Sequence, residues 1–198
     1  MEDARNAQVT RVTKETDIAI ELAIDGQGDG DIETGIGFFD HMLEAFARHG
    51  LFDLKVRATG DLQVDGHHTV EDCGIVLGQA FASALSDKRG IRRFGSLALP
   101  MDEALVLAAV DISGRGSLYW DVEVPYALLG EFDSTLAKEF FIAFAANAGV
   151  TLHVCELAGE NAHHVVEATF KAVARAMRAA CEIDPCAAEA LPSTKGAL

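Results

Sequence analysis

The sequence carries the pattern HHxxE twice, as His67-His68-Thr69-Val70-Glu71 and as His163-His164-Val165-Val166-Glu167. On a helix, each histidine of the pair is three or four residues from the glutamate, so each can share a face with that carboxylate. The two adjacent histidines point about 100° apart. One motif can therefore hand a ligand to each of two metal ions, and the second motif can do the same. Imidazole with carboxylate suits Zn²⁺, Mn²⁺ or Fe²⁺ rather than Ca²⁺ or a thiolate-selected ion. Two more histidines flank the motifs, His41 in Gly37-Phe38-Phe39-Asp40-His41-Met42 and His153 in Thr151-Leu152-His153-Val154. Six histidines and two glutamates suffice for two sites of four protein ligands each, with open positions left over. His49, the seventh histidine, has no counterpart in this scheme, and both a surface role and a substrate contact stay open for it.

Basic residues are scarce, so their grouping matters. Arg92-Arg93, Arg115 and Ser193-Thr194-Lys195-Gly196 each read singly as solvated charge or a flexible end. Taken together they can form a phosphate cradle, because guanidinium, ammonium and hydroxyl groups donate charge-assisted hydrogen bonds to phosphate oxygens.

The surrounding pattern predicts the elements that must position these groups. Apolar and polar residues alternate over Gln8–Thr13 and Asp17–Ile24, a Gly/Asp-rich turn follows over residues 25–31, and Ile32–Thr34 begins a short third strand. Phe38–Arg48 shows a helical stripe closed by Gly50, Asp53–Thr59 a strand, and His67–Leu85 a helix. The second half repeats the plan, with strands over Ile91–Leu99, Ala104–Ile112 and Ser117–Val124, a helix over Leu136–Ala148, a strand over Val150–Leu157 and a helix over His163–Cys181. The matching order and the shared HHxxE predict an internal duplication, an α+β chain of two tandem βββαβα repeats with sheets packed under helices. The repeats span about residues 5–90 and 91–183 of one domain (1–198), followed by an aperiodic tail over 184–198.

Composition narrows the partners. Lys and Arg number 16 against 31 Asp and Glu, a formal net charge of −15 over 198 residues. That sign argues against nucleic acid and anionic membrane surfaces. A small anionic substrate needs only a local cationic pocket. Nothing resembles a membrane span or an N-terminal secretory signal. Cys73, Cys155, Cys181 and Cys186 lack CxxC spacing and read as reduced thiols of a cytoplasmic protein, with a Cys181–Cys186 pairing left open.

Several blocks then carry a resemblance. Thr13-Lys14-Glu15-Thr16, residues 34–43, His67-His68-Thr69-Val70-Glu71-Asp72, Arg92-Arg93-Phe94-Gly95, Pro100-Met101-Asp102-Glu103-Ala104-Leu105, Asp111-Ile112-Ser113-Gly114-Arg115, His163-His164 with Glu167, Phe170-Lys171-Ala172 and Pro192-Ser193-Thr194-Lys195-Gly196 run in order along the chain. They resemble the imidazoleglycerol-phosphate dehydratase family of histidine biosynthesis. Gly116 departs from that pattern, where proline is frequent, and touches only a turn. The resemblance implies a ribosomal protein S5 domain 2-like fold for each repeat, a 24-subunit homo-oligomer, two Mn²⁺ ions per active site at subunit interfaces, and no fused phosphatase domain in front. It implies metal ligation by His41, His67, His68, Glu71, His153, His163, His164 and Glu167. It implies substrate contacts from Glu15, Arg93, Arg115, Ser193 and Lys195, with His49 nearby and the ligands His41, His67 and His68 at the substrate.

The implied reaction removes water from D-erythro-imidazole glycerol 3-phosphate to give imidazole acetol phosphate. The proton to be lost has no adjacent carbonyl, and hydroxide is a poor leaving group. A metal-bound imidazolate can expel hydroxide and acidify the neighbouring C–H, with Glu15 moving protons as acid and base. Without the resemblance, Glu15 reads as a surface residue. The histidines alone also fit a di-metal hydrolase or a metal-binding shell protein without turnover.

Overall fold

The alternation in each half becomes a four-stranded sheet in a computed structural model, which describes residues 5–196. Residues 1–4 and 197–198, which end the N-terminal and tail readings, lie outside the described residues. The first half contains β1 (Asn6–Val12), β2 (Thr16–Ala23), β3 (Gly30–Glu33), α1 (Gly37–Gly50), β4 (Asp53–Gly60) and α2 (His67–Leu85). The second contains β5 (Phe94–Met101), β6 (Ala104–Asp111), β7 (Ser117–Asp121), β8 (Leu128–Leu129), β9 (Phe132–Asp133), α3 (Leu136–Ala148), β10 (Thr151–Ala158) and α4 (Ala162–Cys181). The sheets run β1-β2-β4-β3 and β5-β6-β10-β7. In both, the first two pairings are antiparallel and the last is parallel. The duplication expected from the sequence is therefore present strand for strand, with the β8–β9 hairpin added.

Period-two alternation decides which face is covered. β2 buries Thr16, Ile18, Ile20 and Leu22, and β6 buries Ala104, Val106, Ala108 and Val110. α2 packs on β1 and β2, and α4 packs on β5 and β6. Across the middle, α1 packs on α4 and α2 on α3, so the helices lie between the two sheets. Buried phenylalanines fill this layer. Phe46 meets Phe81 and Phe144 edge-on, and Phe140 stacks on Phe144 and Phe170.

Four local features differ from the sequence pattern. The β8–β9 hairpin has two-residue strands, too short for a periodic signal, and holds Phe132 in the core. β5 begins at Phe94 rather than Ile91, because Ile91 bridges Ile183 and Arg93 turns the chain at φ 71°. β7 ends at Asp121, short of Val124. In α1 it is Leu51, at φ 54°, that makes the left-handed stop, while Gly50 is helical and leaves room for the Phe52 ring.

The tail is not loose. Gly90 donates to the Ala190 carbonyl (2.9 Å), Asp184 donates to Gly90 (2.7 Å), and Arg93 Nη1 donates to the Pro192 carbonyl (2.8 Å). All four cysteines are free. Burial pushes the Cys181 thiol up to about 12, so it carries no thiolate near neutrality. Among the described residues no helix is long and apolar enough to cross a membrane.

The α2–α3 contact is close enough to need glycine. A Cβ on Gly78 would lie 2.6 Å from the Phe144 carbonyl oxygen and 2.8 Å from the Ala148 nitrogen. Alanine would gain about 1 kcal/mol of helix propensity, but overpacking costs about 1–3 kcal/mol and here falls on rigid backbone. Gly78→Ala is expected to lower the urea midpoint with an unchanged m-value. A midpoint at or above wild type would contradict this contact.

Candidate metal centre

α4 starts in a fixed register because Asn161 caps it. The Asn161 side chain accepts from the His163 backbone N–H (2.9 Å), and its carbonyl accepts from Val165 (3.0 Å). Four residues on, Glu167 turns inward and brings Oε2 3.0 Å from His163 Nε2. Helix α1, packed against α4, carries His41 Nε2 to 3.7 Å from the same oxygen. The ligand atoms of His41, His163 and Glu167 all lie within 4.8 Å of one another. Phe38 packs edge-on against His163, with centroids 5.1 Å apart, and against His41. Two imidazole nitrogens and a carboxylate oxygen at this spacing fit a borderline divalent ion such as Mn²⁺ or Zn²⁺.

Glu167 is only 6% exposed. Burial alone would push its carboxyl up, but Lys171, with Nζ 2.5 Å from Oε1, and then His163 and His41 hold it below its ordinary value. The carboxylate stays ionised, as ligation requires.

The first motif is laid out differently. His67 Nε2 lies 3.8 Å from Glu71 Oε2, and both side chains are partly exposed. His68 turns its Nδ1 to Asp61, 3.1 and 3.2 Å from the two carboxylate oxygens. In α4, His164 Nδ1 lies 2.7 Å from Glu103 Oε2 in the β5–β6 turn. That hydrogen bond, with those from the Asn161 and neighbouring backbone, lowers the Glu103 carboxyl to about 2. His153 sits on β10 between the fully buried Leu152 and Val154, so it faces away from the helices, with its ring stacked on Tyr119 at 4.4 Å. Among the described residues, only His41, His163 and Glu167 meet as a group of three. His67 with Glu71, His68 with Asp61, His153 with Tyr119 and His164 with Glu103 make separate pairwise contacts away from that group.

Glu15 is exposed in the β1–β2 turn. Thr13 Oγ1 accepts from the backbone N–H groups of Glu15 (3.0 Å) and Thr16 (2.9 Å). Thr16 in turn donates its hydroxyl to Asp72 Oδ2 at 2.5 Å, and Arg11 Nε donates to Asp72 Oδ1 at 2.9 Å. Asp72 is 7% exposed and lies on α2, so it ties the Glu15 turn to the helix that carries His67 and His68. His68 is raised first by the Asp61 hydrogen bond, against an opposing desolvation, and then by the Glu15 charge, which puts Glu15 in electrostatic reach of the motif.

The candidate phosphate residues divide. Arg93 grips Asp111 with Nε (2.7 Å) and Nη2 (3.2 Å), and its third donor holds the tail at Pro192, next to Ser193. Arg115 lies just beyond the same strand end, in a turn where Ser113 Oγ accepts its N–H (3.1 Å) and Thr151 Oγ1 meets its carbonyl (3.2 Å). Lys195 is exposed, with its backbone N–H on Ser193 Oγ (3.2 Å). His49 lies on the last turn of α1, lowered by burial and then by the Lys171 and Arg175 charges, so it is neutral near pH 7.

Asp61, Asp72, Glu103, Asp111 and Lys171 escaped the sequence reading as site residues. The partners of Asp72, Glu103 and Asp111 lie 56, 61 and 18 residues away in the sequence. Their contacts to Thr16, His164 and Arg93 join distant segments, so no spacing rule finds them. Asp72→Ala is expected to cost about 1–3 kcal/mol by stranding the buried Thr16 hydroxyl, read by urea unfolding. Wild-type stability would contradict the anchoring role.

Comparison with known proteins shows the family. Residues 34–177 match the family model described as imidazoleglycerol-phosphate dehydratase. The chain is 60% identical over 194 residues to the imidazoleglycerol-phosphate dehydratase of Dinoroseobacter shibae, covering 98% of this chain and 100% of that one. It is 60% identical over 198 residues to that of Gluconacetobacter diazotrophicus, covering both chains completely. Among solved structures, the Staphylococcus aureus enzyme superposes with a TM-score of 0.82 at 38% identity, covering 90% of this chain and 99% of that one. The Pyrococcus furiosus enzyme, in complex with (S)-C348, gives 0.83 at 42% identity, covering 96% and 100%. The chain belongs to the imidazoleglycerol-phosphate dehydratase family, hydro-lyases of histidine biosynthesis.

Proposed function

We propose that the chain dehydrates D-erythro-imidazole glycerol 3-phosphate to imidazole acetol phosphate with the help of two Mn²⁺ ions per site, as a cytoplasmic enzyme. The observation that carries the metal reading is the convergence of His41, His163 and Glu167 within one ligand sphere. Their donor set fits Mn²⁺, and His67, His68, Glu71, His153 and His164 are the further ligands in this reading. Bound ions would supply Lewis-acid stabilisation of negative charge on the substrate's azole ring.

The outward position of His153 and the separation of the first motif from Glu167 support sites completed by more than one copy of the chain. A closed homo-oligomer, 24 subunits in this reading, supplies the missing ligands from neighbours. The whole chain then acts as one catalytic domain of two repeats, with residues 184–198 as a substrate-binding tail.

The remaining work falls to the chain's own groups. Glu15, exposed and within electrostatic reach of His68, takes up and returns the protons that leave with hydroxide as water. Arg93, Arg115, Ser193 and Lys195 hold the phosphate, and Arg93 also keeps the tail in place through Pro192. Phosphate held at one end fixes the azole at the other, which supplies the orientation the reaction needs. The neutral imidazole of His49 can donate to or accept from substrate without adding charge.

Glu15→Gln is expected to keep Mn²⁺ content and assembly mass while turnover falls about 10²- to 10⁴-fold. Normal turnover would remove Glu15 from the acid/base role. His67→Ala and His163→Ala are each expected to lower bound Mn²⁺ and weaken assembly, and unchanged stoichiometry in both would contradict the ligand set. Because ligation needs neutral imidazole and ionised carboxylate, Mn²⁺ retention on dialysis is expected to fall from neutral to mildly acidic pH.

A further inference from the structure

Two of the helix histidines are held from behind, by carboxylates that the reaction itself does not require. His68 presents Nδ1 to both oxygens of Asp61, at 3.1 and 3.2 Å. His164 presents Nδ1 to Glu103 Oε2 at 2.7 Å, whereas its Nε2 lies 3.6 Å from the exposed Asp102 Oδ2, beyond hydrogen-bond distance. A carboxylate only accepts, so the nitrogen facing it must carry the ring proton, and the lone pair of the neutral ring is then on Nε2.

The two repeats reach this result from different places. Asp61 follows β4, whereas Glu103 sits in the β5–β6 turn. The β5–β6 turn is the repeat counterpart of the β1–β2 turn, which carries Glu15. In the second repeat the hairpin carboxylate is spent on a histidine. In the first repeat Asp61 takes over that task, and the hairpin carboxylate Glu15 is left exposed.

We propose that Asp61 and Glu103 are positioning residues that lock His68 and His164 in the Nδ1–H tautomer, so that both offer Nε2 to a divalent cation. The proposal rests on the reading of these histidines as ligands. Outer carboxylates of this kind fix ring orientation and raise ligand basicity, and their loss typically costs about 10- to 100-fold in metal affinity.

The geometry predicts which conservative changes are tolerated. Both Asp61 oxygens address one nitrogen, so the single amide oxygen of Asp61→Asn can still accept from it. Glu103 uses its oxygens separately, because Oε1 also accepts from the Asn161 backbone N–H at 2.8 Å. Glu103→Gln has only one acceptor for two donors. Its NH₂ group facing His164 would draw the ring proton to Nε2 and block the metal-facing lone pair.

The test uses the full chain labelled with ¹⁵N-histidine, treated with chelator, with ring nitrogen shifts read near neutral pH. Mn²⁺ affinity is measured separately by equilibrium dialysis of the loaded protein. Wild type is expected to show His68 and His164 as Nδ1–H tautomers. Asp61→Ala and Glu103→Gln are expected to lose that preference at the adjacent ring and about 10- to 100-fold in Mn²⁺ affinity. Asp61→Asn is expected to recover the tautomer. Wild-type tautomers and affinity in Asp61→Ala and Glu103→Gln would overturn the proposal. Asp61→Ala carries the test alone if Glu103→Gln loosens the start of α4. If His68→Ala and His164→Ala keep full Mn²⁺ binding, the underlying ligand reading fails instead.

Discussion

A carboxylate buried between α1 and α4 constrains the rest of the candidate site. Glu167 is nearly sealed from solvent, and an uncompensated carboxylate there would cost several kcal/mol. Compensation arrives from Lys171 one turn on, from His163 one turn back and from His41 across the helix interface. These same contacts gather two imidazole nitrogens around one oxygen. The α1–α4 packing therefore decides both whether the charge can be buried and whether a cation site exists. The close α2–α3 approach at Gly78, on the other side of the helix layer, holds the second helix pair in the same arrangement.

The two repeats share a scaffold and divide the labour. Glu71, the counterpart of Glu167, is 46% exposed and needs no such compensation. The first repeat instead buries the next residue, Asp72, whose counterpart is the apolar Ala168. Moving the buried carboxylate by one position changes what it holds. In α4 it faces histidines, whereas in α2 it grips Thr16 and Arg11 and so fixes the turn that carries Glu15. Duplicated secondary structure with displaced carboxylates gives the two repeats unlike surroundings for their HHxxE motifs.

Much of this was legible in the sequence, because period and motif are local signals. The alternating strands, both long helices and the paired HHxxE motifs lie close to where the pattern puts them. What was not legible depends on contacts between distant segments. No spacing announces that Glu103 meets His164 or that Asp111 takes up Arg93. The β8–β9 hairpin is too short for a period, and the left-handed backbone at Arg93 and Leu51 falls on residues that carry no glycine signal. The stop of α1 was expected from Gly50, yet that glycine serves the packing of Phe52 and the next residue makes the turn.

The acidity of the chain, −15 overall, is compatible with a phosphate ester as substrate. In the proposed site Arg93, Arg115, Lys195 and two divalent cations face the substrate, and the surplus of carboxylates lies elsewhere or acts as ligand. The most direct measurement is incubation of the Mn²⁺-loaded protein with imidazole glycerol phosphate, following both ketone and inorganic phosphate. The account predicts stoichiometric imidazole acetol phosphate and no free phosphate. Phosphate release would point to hydrolysis, and full metal loading without ketone would leave a metal-binding shell, and either result would contradict it.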